Sequence, residues 1–392
     1  MAAPGDSWAT WLAGRSSEHR ARGLWRTRRS RVPGAVLDFA GNDYLGLAGD
    51  PRLAEAQAEG ARHYGAGGRA SHLVSGHLAV HEALEHRLAT LTGRPAALLF
   101  STGYMANLGT LQALCDSDTR VFQDRLNHAS LIDGARLAGA RSRRFHHGDL
   151  GDLERLLARA ADDGRRLVVS DGVFSMDGDV ADIAGLAATS TRHGAWLMVD
   201  DAHGLGVLGE AGDGCVGRAH GIERVPVLVG TLGKALGSAG AFVTGSQALI
   251  DHLIQFARPY IYTTAQPPGV AATTLKALEL LEAEPERRDR LHTRIRRFRK
   301  EAATLGLPLA ASSTPIQPLV LGDSQRVMCW AAWLAERGMA VGAIREPTVP
   351  RGQARLRITL SAAHTDADLD ALLEVLADCS TRDAIAEGEA IS

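Results

Sequence analysis

Short apolar runs separated by amphipathic stretches dominate the middle of the chain, at 96–100, 120–122, 167–170, 195–199, 227–229 and 241–244. Runs that are continuous instead of alternating fit strands buried on both faces of a largely parallel sheet, with helices above and below. Polar and glycine-rich residues follow these runs, at the carboxyl edge where open α/β sheets bind ligands. Before them, 7–31 has helical spacing with Trp8, Trp11, Leu12 and Leu24 as apolar positions. Its charges (Arg20, Arg22, Arg26, Arg28, Arg29, Arg31) read as a solvated face. A turn at Pro33-Gly34 precedes a short apolar segment, 36–39. Near Pro267-Pro268 the pattern shifts: 269–284 is strongly helical and 285–303 is a basic helix. Strands at 316–321 and 355–360 then alternate with helices around 327–337 and 366–377. The expected architecture is α/β: an N-terminal helical segment (1–40), a large domain with a mainly parallel sheet (41–275) and a smaller C-terminal α/β domain (276–392).

Composition sharpens this reading. With 392 residues, 45% of them apolar, the chain can bury more than one core. Lys and Arg number 43 against 45 Asp and Glu, well mixed, which argues against a chain-wide grip on nucleic acid or anionic lipid. No window approaches the ~20 apolar residues of a membrane span, and the N-terminus has no signal-peptide core. Cys115, Cys215, Cys329 and Cys379 are scattered without a C-x-x-C pair, as reduced thiols of a cytoplasmic protein would be.

Candidate chemistry clusters after the apolar runs. The run ending Met198-Val-Asp200-Asp201 is followed at once by His203. A carboxylate at a buried strand end is costly unless a cation or strong donors meet it; a protonated pyridine nitrogen is one such partner, and capping the next turn is the plainer role. The stretch Gly230-Thr231-Leu-Gly233-Lys234-Ala-Leu-Gly237 sets one lysine among small residues, unlike a surface helix. Its amine can form a Schiff base, and the Thr231 hydroxyl can meet a phosphate oxygen. Ser101-Thr102-Gly103-Tyr104 opens a helix after the run 96–100, either an ordinary cap or an anion site. Asn127-His128 offers an imidazole able to stack on a flat ring, and Ser175 offers a hydroxyl after the run 167–170.

In that order the pieces resemble the α-oxoamine synthases, a family of fold-type I pyridoxal-phosphate enzymes, over nearly the whole chain. The shared text includes Asn42-Asp-Tyr-Leu-Gly-Leu47, Leu73-Val-Ser-Gly76, His128-Ala-Ser-Leu131 and Val173-Phe-Ser-Met-Asp-Gly178. It continues through Val199-Asp-Asp-Ala-His-Gly204, Gly233-Lys234, Phe256-Ala-Arg258, Ile316-Gln-Pro318, Pro347-Thr-Val-Pro350 and Arg355-Leu-Arg357. The resemblance implies pyridoxal 5'-phosphate with its phosphate on Gly103, Tyr104 and Thr231, and its ring hydroxyl on Ser175. It implies a ring nitrogen on Asp200, with His128 and His203 at the ring and Lys234 as the Schiff-base lysine. Arg357 would grip the amino acid's carboxylate, while Arg345, Thr348 and an N-terminal arginine, Arg26 in preference to Arg22, would contact substrate or product. Segment 343–350 favours a member that joins L-alanine to a pimeloyl thioester, on coenzyme A or acyl carrier protein, over glycine- or serine-using relatives. Glu346 departs from the proline usual there, placing a negative charge beside the substrate loop. The resemblance also implies a homodimer with the active site at the interface, reached by 71–76 or 262–264 of the partner.

Other readings of the same text are weaker. Gly204-Leu-Gly206-Val-Leu-Gly209 spells a dinucleotide fingerprint, but Asp201-Ala-His203 separates it from its strand and the following residues cannot open a helix. His77 and His81 stand one helical turn apart, as zinc ligands can, without a general-base glutamate or an evident third ligand. His146-His147 reads as a loop. An inactive partner subunit of the same family would be expected to lack the lysine that is present here.

Overall fold

The computed structural model describes residues 4–28, 30, 32, 34–160 and 164–389. They fall into two compact units, Met1–Leu37 and Asp38–Ser392. In the first, the helix Pro4–Ala21 stops well short of residue 31, because Gly23 adopts a left-handed φ of 65° that ends it. Trp8, Trp11 and Leu12 are exposed, and the two indoles meet edge to face at 5.7 Å. Arg20 lies over the Trp25 ring. Arg29 and Arg31 fall outside the described residues.

The second unit begins in strand β1 (Leu37–Phe39). There follow β2 (Ala96–Phe100), β3 (Arg120–Asp124), β4 (Arg141–Phe145), β5 (Arg166–Asp171), β6 (Trp196–Asp200), β7 (Val227–Thr231) and β8 (Ala241–Gly245). The last three are β9 (Ile316–Gly322), β10 (Met339–Ile344) and β11 (Ala354–Thr359). Strands β2 to β8 form a seven-stranded sheet in the order β2-β8-β7-β6-β5-β3-β4. Strands β3 to β7 run parallel, and β8 is antiparallel to both of its neighbours. The second sheet has the order β1-β10-β11-β9.

Alternate residues of the central strands serve two cores, which explains their unbroken apolar text. Val169, Met198 and Val229 pack with Leu111 and Leu253 of the helices Gly103–Leu114 and Gln247–Phe256. Val168, Leu197 and Leu228 face Leu153 and Leu186 of the helices Leu150–Ala158 and Ile183–Arg192. Strand β4 escapes the hydrophobic pattern because its sequence is Arg-Ser-Arg-Arg-Phe and only Phe145 is buried. An edge strand has one neighbour and little need of apolar side chains.

Helix Pro268–Ala283 packs on Pro51–Tyr64, and Gly60 sits where they touch: a Cβ there would lie 2.6 Å from Ala272 Cβ. The expected division at residue 275 falls inside this helix, and Asp38–Ser392 forms one compact unit. After β6 the chain turns repeatedly through Gly206 and Gly209, both at positive φ, and no helix follows the glycine fingerprint. Among the described residues no helix is long and apolar enough to cross a membrane. All four cysteines are free.

Candidate active site

The parallel order brings the carboxyl ends of β3, β5, β6 and β7 side by side, and the expected residues hang from them. A cavity of about 200 Å³ is lined by Gly103, Tyr104, His128, Ser175, Asp200, His203, Thr231 and Lys234. Asn107, Ser130, Asp171, Val173 and Ala202 complete its wall. Eight residues drawn from five separate stretches of sequence therefore meet around one space.

Lys234 Nζ donates to His203 Nε2 at 2.7 Å, and His203 Nδ1 lies 2.5 Å from the hydroxyl of fully buried Tyr44. Burial first, then the nearby Lys234 and Arg357 charges, hold His203 well below its ordinary pKa. A neutral ring that accepts at Nε2 carries its proton at Nδ1, facing Tyr44. Burial also lifts the Tyr44 hydroxyl to about 12, so it stays protonated and reaches Asn42 Oδ1 at 3.2 Å. Arg357 meets the same Asn42 oxygen through Nη2 at 3.1 Å; its Nε donates to Ser175 O at 2.6 Å and its Nη1 to Thr359 Oγ1 at 3.0 Å. Those bonds use three of the five guanidinium N–H groups and leave one on each Nη.

Asp200, only 7% exposed, accepts from Asn107 Nδ2 at 2.6 Å and from Ala202 N at 3.0 Å. Asn107 also donates to Ser130 Oγ, which lies 2.7 Å from His128 Nδ1. Beside Asp200 in register stands Asp171, raised well above the usual carboxylate range by burial and then by Asp200 itself. It accepts His128 N at 2.8 Å. Thr231 Oγ1 donates to Gly240 O, and Gly237 is tied by shape, since a Cβ there would sit 2.4 Å from Ala48 N.

The helix Gly103–Leu114 starts at the cavity with Thr102 as its cap, taking Met105 N on Oγ1 at 3.1 Å. Gly103 and Tyr104 precede the first intrahelical bond, so their N–H groups are available to an anion. Apart from its chain neighbours and its own helix backbone, nothing stands within 4 Å of where a Gly103 Cβ would be. The Tyr104 hydroxyl is engaged elsewhere, donating to Asp133 at 2.7 Å.

Burial lowers the Lys234 amine to about 8, with Asp200 and Asp171 pulling the other way. Below that pH it is protonated and cannot attack a carbonyl; above it the lone pair is free. Capture of an aldehyde at Lys234, trapped by borohydride, should accelerate about tenfold per pH unit below 8 and level off above it. A rate still climbing near pH ~10, as for an ordinary lysine, would contradict this environment.

The full-length matches agree with this geometry. Residues 35–376 match the model of the family "Aminotransferase class I and II". An 8-amino-7-oxononanoate synthase from Chromohalobacter salexigens is 74% identical over 380 residues, covering 97% of this chain and 98% of that protein. The chain belongs to the 8-amino-7-oxononanoate synthase family. The crystal structure of an 8-amino-7-oxononanoate synthase from Francisella tularensis superposes with a TM-score of 0.78 at 32% identity, covering 89% of this chain and 99% of that one. A serine palmitoyltransferase from S. paucimobilis with bound PLP–myriocin aldimine superposes at 0.89 with 28% identity, covering 97% and 99%.

Three residues expected at the site, Arg357, Arg345 and Thr348, are not among those that line the cavity. Arg345 follows β10, where its Nη1 lies 2.7 Å from Met328 Sδ and its carbonyl accepts Thr348 N. Neither Arg345 nor Thr348 lines the space, and Arg345 makes no ion pair with Glu346. Arg26 belongs to the N-terminal unit, where it is exposed.

Sequence reading missed Tyr44, Asn107, Ser130 and Asp171. Tyr44 stood inside a quoted motif, and Asn107 was a polar residue between apolar neighbours in its helix; both were signals of buried hydrogen bonding. The fold also supplies a third imidazole to the pair His77 and His81: His72, with ligand atoms of all three within 4.8 Å. His81 is already committed, however, accepting Leu78 N at 3.0 Å and meeting Gln266 O at 2.8 Å with its other nitrogen.

Proposed function

We propose that this chain joins L-alanine to a pimeloyl thioester, releasing carbon dioxide and the free thiol and giving 8-amino-7-oxononanoate for biotin synthesis. The observation that carries the reading is Lys234, held at 2.7 Å by neutral His203 in a cavity that Asp200 borders. The 74% identity to a synthase of that name supports the choice of substrates.

The cavity fits pyridoxal 5'-phosphate by its donor set: a helix start with open space at Gly103, a buried carboxylate, and an amine with a depressed pKa. Gly103 and Tyr104 N–H groups, with the Thr231 hydroxyl turned from Gly240 O, would hold the phosphate, Ser175 the ring hydroxyl, Asp200 the ring nitrogen, and His128 one face. Bound there, the cofactor supplies an electron-withdrawing ring that lowers the cost of negative charge on the amino acid's α-carbon.

The remaining work belongs to the chain. Arg357 turns its two unused N–H groups to the alanine carboxylate, a bidentate grip on one rigid plane. Lys234 Nζ, partly neutral near pH 8, removes the α-proton and later returns it. His203 and Tyr44 fix the amine's position and keep water from it. Arg26, Arg345 and Thr348 are assigned to the acyl side, where an arginine suits the distal pimeloyl carboxylate. The protein acts as a cytoplasmic homodimer, with 71–76 or 262–264 completing the partner's site; Val74 and Tyr262 are strongly exposed in one chain.

One assay tests the reading: alanine, glycine and serine are each offered with pimeloyl-CoA, pimeloyl carrier protein and shorter thioesters, and products are identified by mass. Assays span the dilution at which sedimentation separates monomer from dimer. Preference for glycine or serine with another acyl group would replace these substrates, and fully active monomers would remove the shared site.

A further inference from the structure

His146 and His147 follow β4 in a plain loop, yet their surroundings differ. His146 Nδ1 meets Asp152 at 2.7 Å at the surface. His147 lies between two carboxylates, one at the end of β3 and one in the loop after β5. Its Nδ1 is 3.1 and 3.2 Å from the Asp124 oxygens, and its Nε2 is 3.0 Å from Asp179 Oδ2. The ring also stands edge-on to Phe174, with centroids 4.4 Å apart. With a carboxylate at each nitrogen the ring is held as imidazolium, its pKa raised to about 10 by Asp124 first and Asp179 second. Both nitrogens then donate, and both bonds are charge-assisted.

Each carboxylate governs part of the cavity wall. Asp124 ends β3, takes Leu126 N at 2.8 Å and Gly148 N at 2.9 Å, and so shapes the turn leading to His128. Asp179 shuts the loop between Val173 and Val180, its carbonyl taking Phe174 N at 3.0 Å. Its Oδ1 is shielded from solvent and has no hydrogen-bond partner, so the carboxylate leans on His147. That loop carries Ser175, whose carbonyl accepts Arg357 Nε at 2.6 Å. A continuous line of contacts therefore runs from the His128 turn through Asp124, His147, Asp179 and the Ser175 loop to Arg357.

We propose that His147 is a positioning residue that clamps the Ser175 loop to the His128 turn and thereby sets where Arg357 meets the amino-acid carboxylate. This rests on the assignment of Arg357 made under the proposed function. Without the imidazolium, the Asp124 and Asp179 carboxylates lose the cation between them, and Asp179 loses the bond to its Oδ2 while its Oδ1 has no partner to compensate. The loop then has reason to move, and a bidentate grip weakens with sub-ångström displacement. The acyl substrate meets other residues and should be little affected.

The test titrates alanine into cofactor-loaded enzyme, reading Kd from the visible spectrum, and measures KM for both substrates. His147→Gln and Asp179→Asn should each raise the alanine Kd and KM about tenfold and leave KM for pimeloyl-CoA within about twofold. His146→Ala should match wild type. If His147→Gln fails to fold, Asp179→Asn, which keeps shape and removes charge, carries the test. Alanine Kd within about twofold of wild type in the folded variants, or an equal rise in both KM values, would overturn the clamp. Should wild type make no product from alanine and pimeloyl-CoA, the assigned reaction fails; the clamp is then read from the Kd of whichever of alanine, glycine or serine perturbs the spectrum.

Discussion

Lys234→Ala is expected to lower product formation by at least about 10⁴-fold, the upper end of what one positioned acid–base group supplies, because the amine also attaches the cofactor. The protein should still fold, since the side chain's one hydrogen bond in the structure is to His203. A chemical feature of the sequence makes the assignment unusually clean to check. The chain has three lysines, and the other two, Lys276 and Lys300, lie on the helices Pro268–Ala283 and Glu286–Thr304. Lys276 is paired with Glu279 at 2.7 Å, and Lys300 is exposed. Borohydride reduction of loaded enzyme followed by peptide mapping should place the label on Lys234 alone. A label elsewhere, or a variant within about tenfold of the wild-type rate, would remove Lys234 from the chemistry.

Asp200→Asn should cost about 10²–10³ in kcat, the range seen when one preorganised electrostatic partner is lost. The amide fills the same volume but has one acceptor oxygen where the carboxylate uses two, Oδ2 for Asn107 and Oδ1 for Ala202 N, so one of these bonds is lost with the charge and circular dichroism checks that the fold is kept. What disappears is the negative partner that keeps a ring nitrogen protonated in a site walled from water. Saturating both substrates isolates kcat, and cofactor released on denaturation gives the loading. A fully loaded variant with kcat within about threefold of wild type would show that Asp200 only caps its turn.

Much of this was legible from residues alone, for identifiable reasons. Strands buried on both faces cannot alternate, so β5, β6 and β7 stood out, and the chemistry sat at their ends. Strand β4 was invisible because its arginines obey no burial pattern. The N-terminal helix was drawn too long because apolar spacing outlasted Gly23, whose backbone conformation decided the end. Lys234, Asp200 and His203 were found because each is chemically odd in its local text. Tyr44, Asn107 and Asp171 were not, since a supporting hydrogen bond depends on which loops meet, and spacing holds no record of that. The same limit hid the difference between His146 and His147.

Strand β4 has a consequence beyond topology. It ends the seven-stranded sheet, so one side of its backbone faces outward with unpaired N–H and C=O groups, an open template for any extended chain. Arg141, Arg143 and Arg144 are all exposed along its five residues. A second strand arriving in the cell would have to strip water from those guanidinium groups, and a second copy of this edge would bring like charge against like. The text that concealed the strand from a hydrophobic reading is therefore also what discourages strand-to-strand pairing along this border.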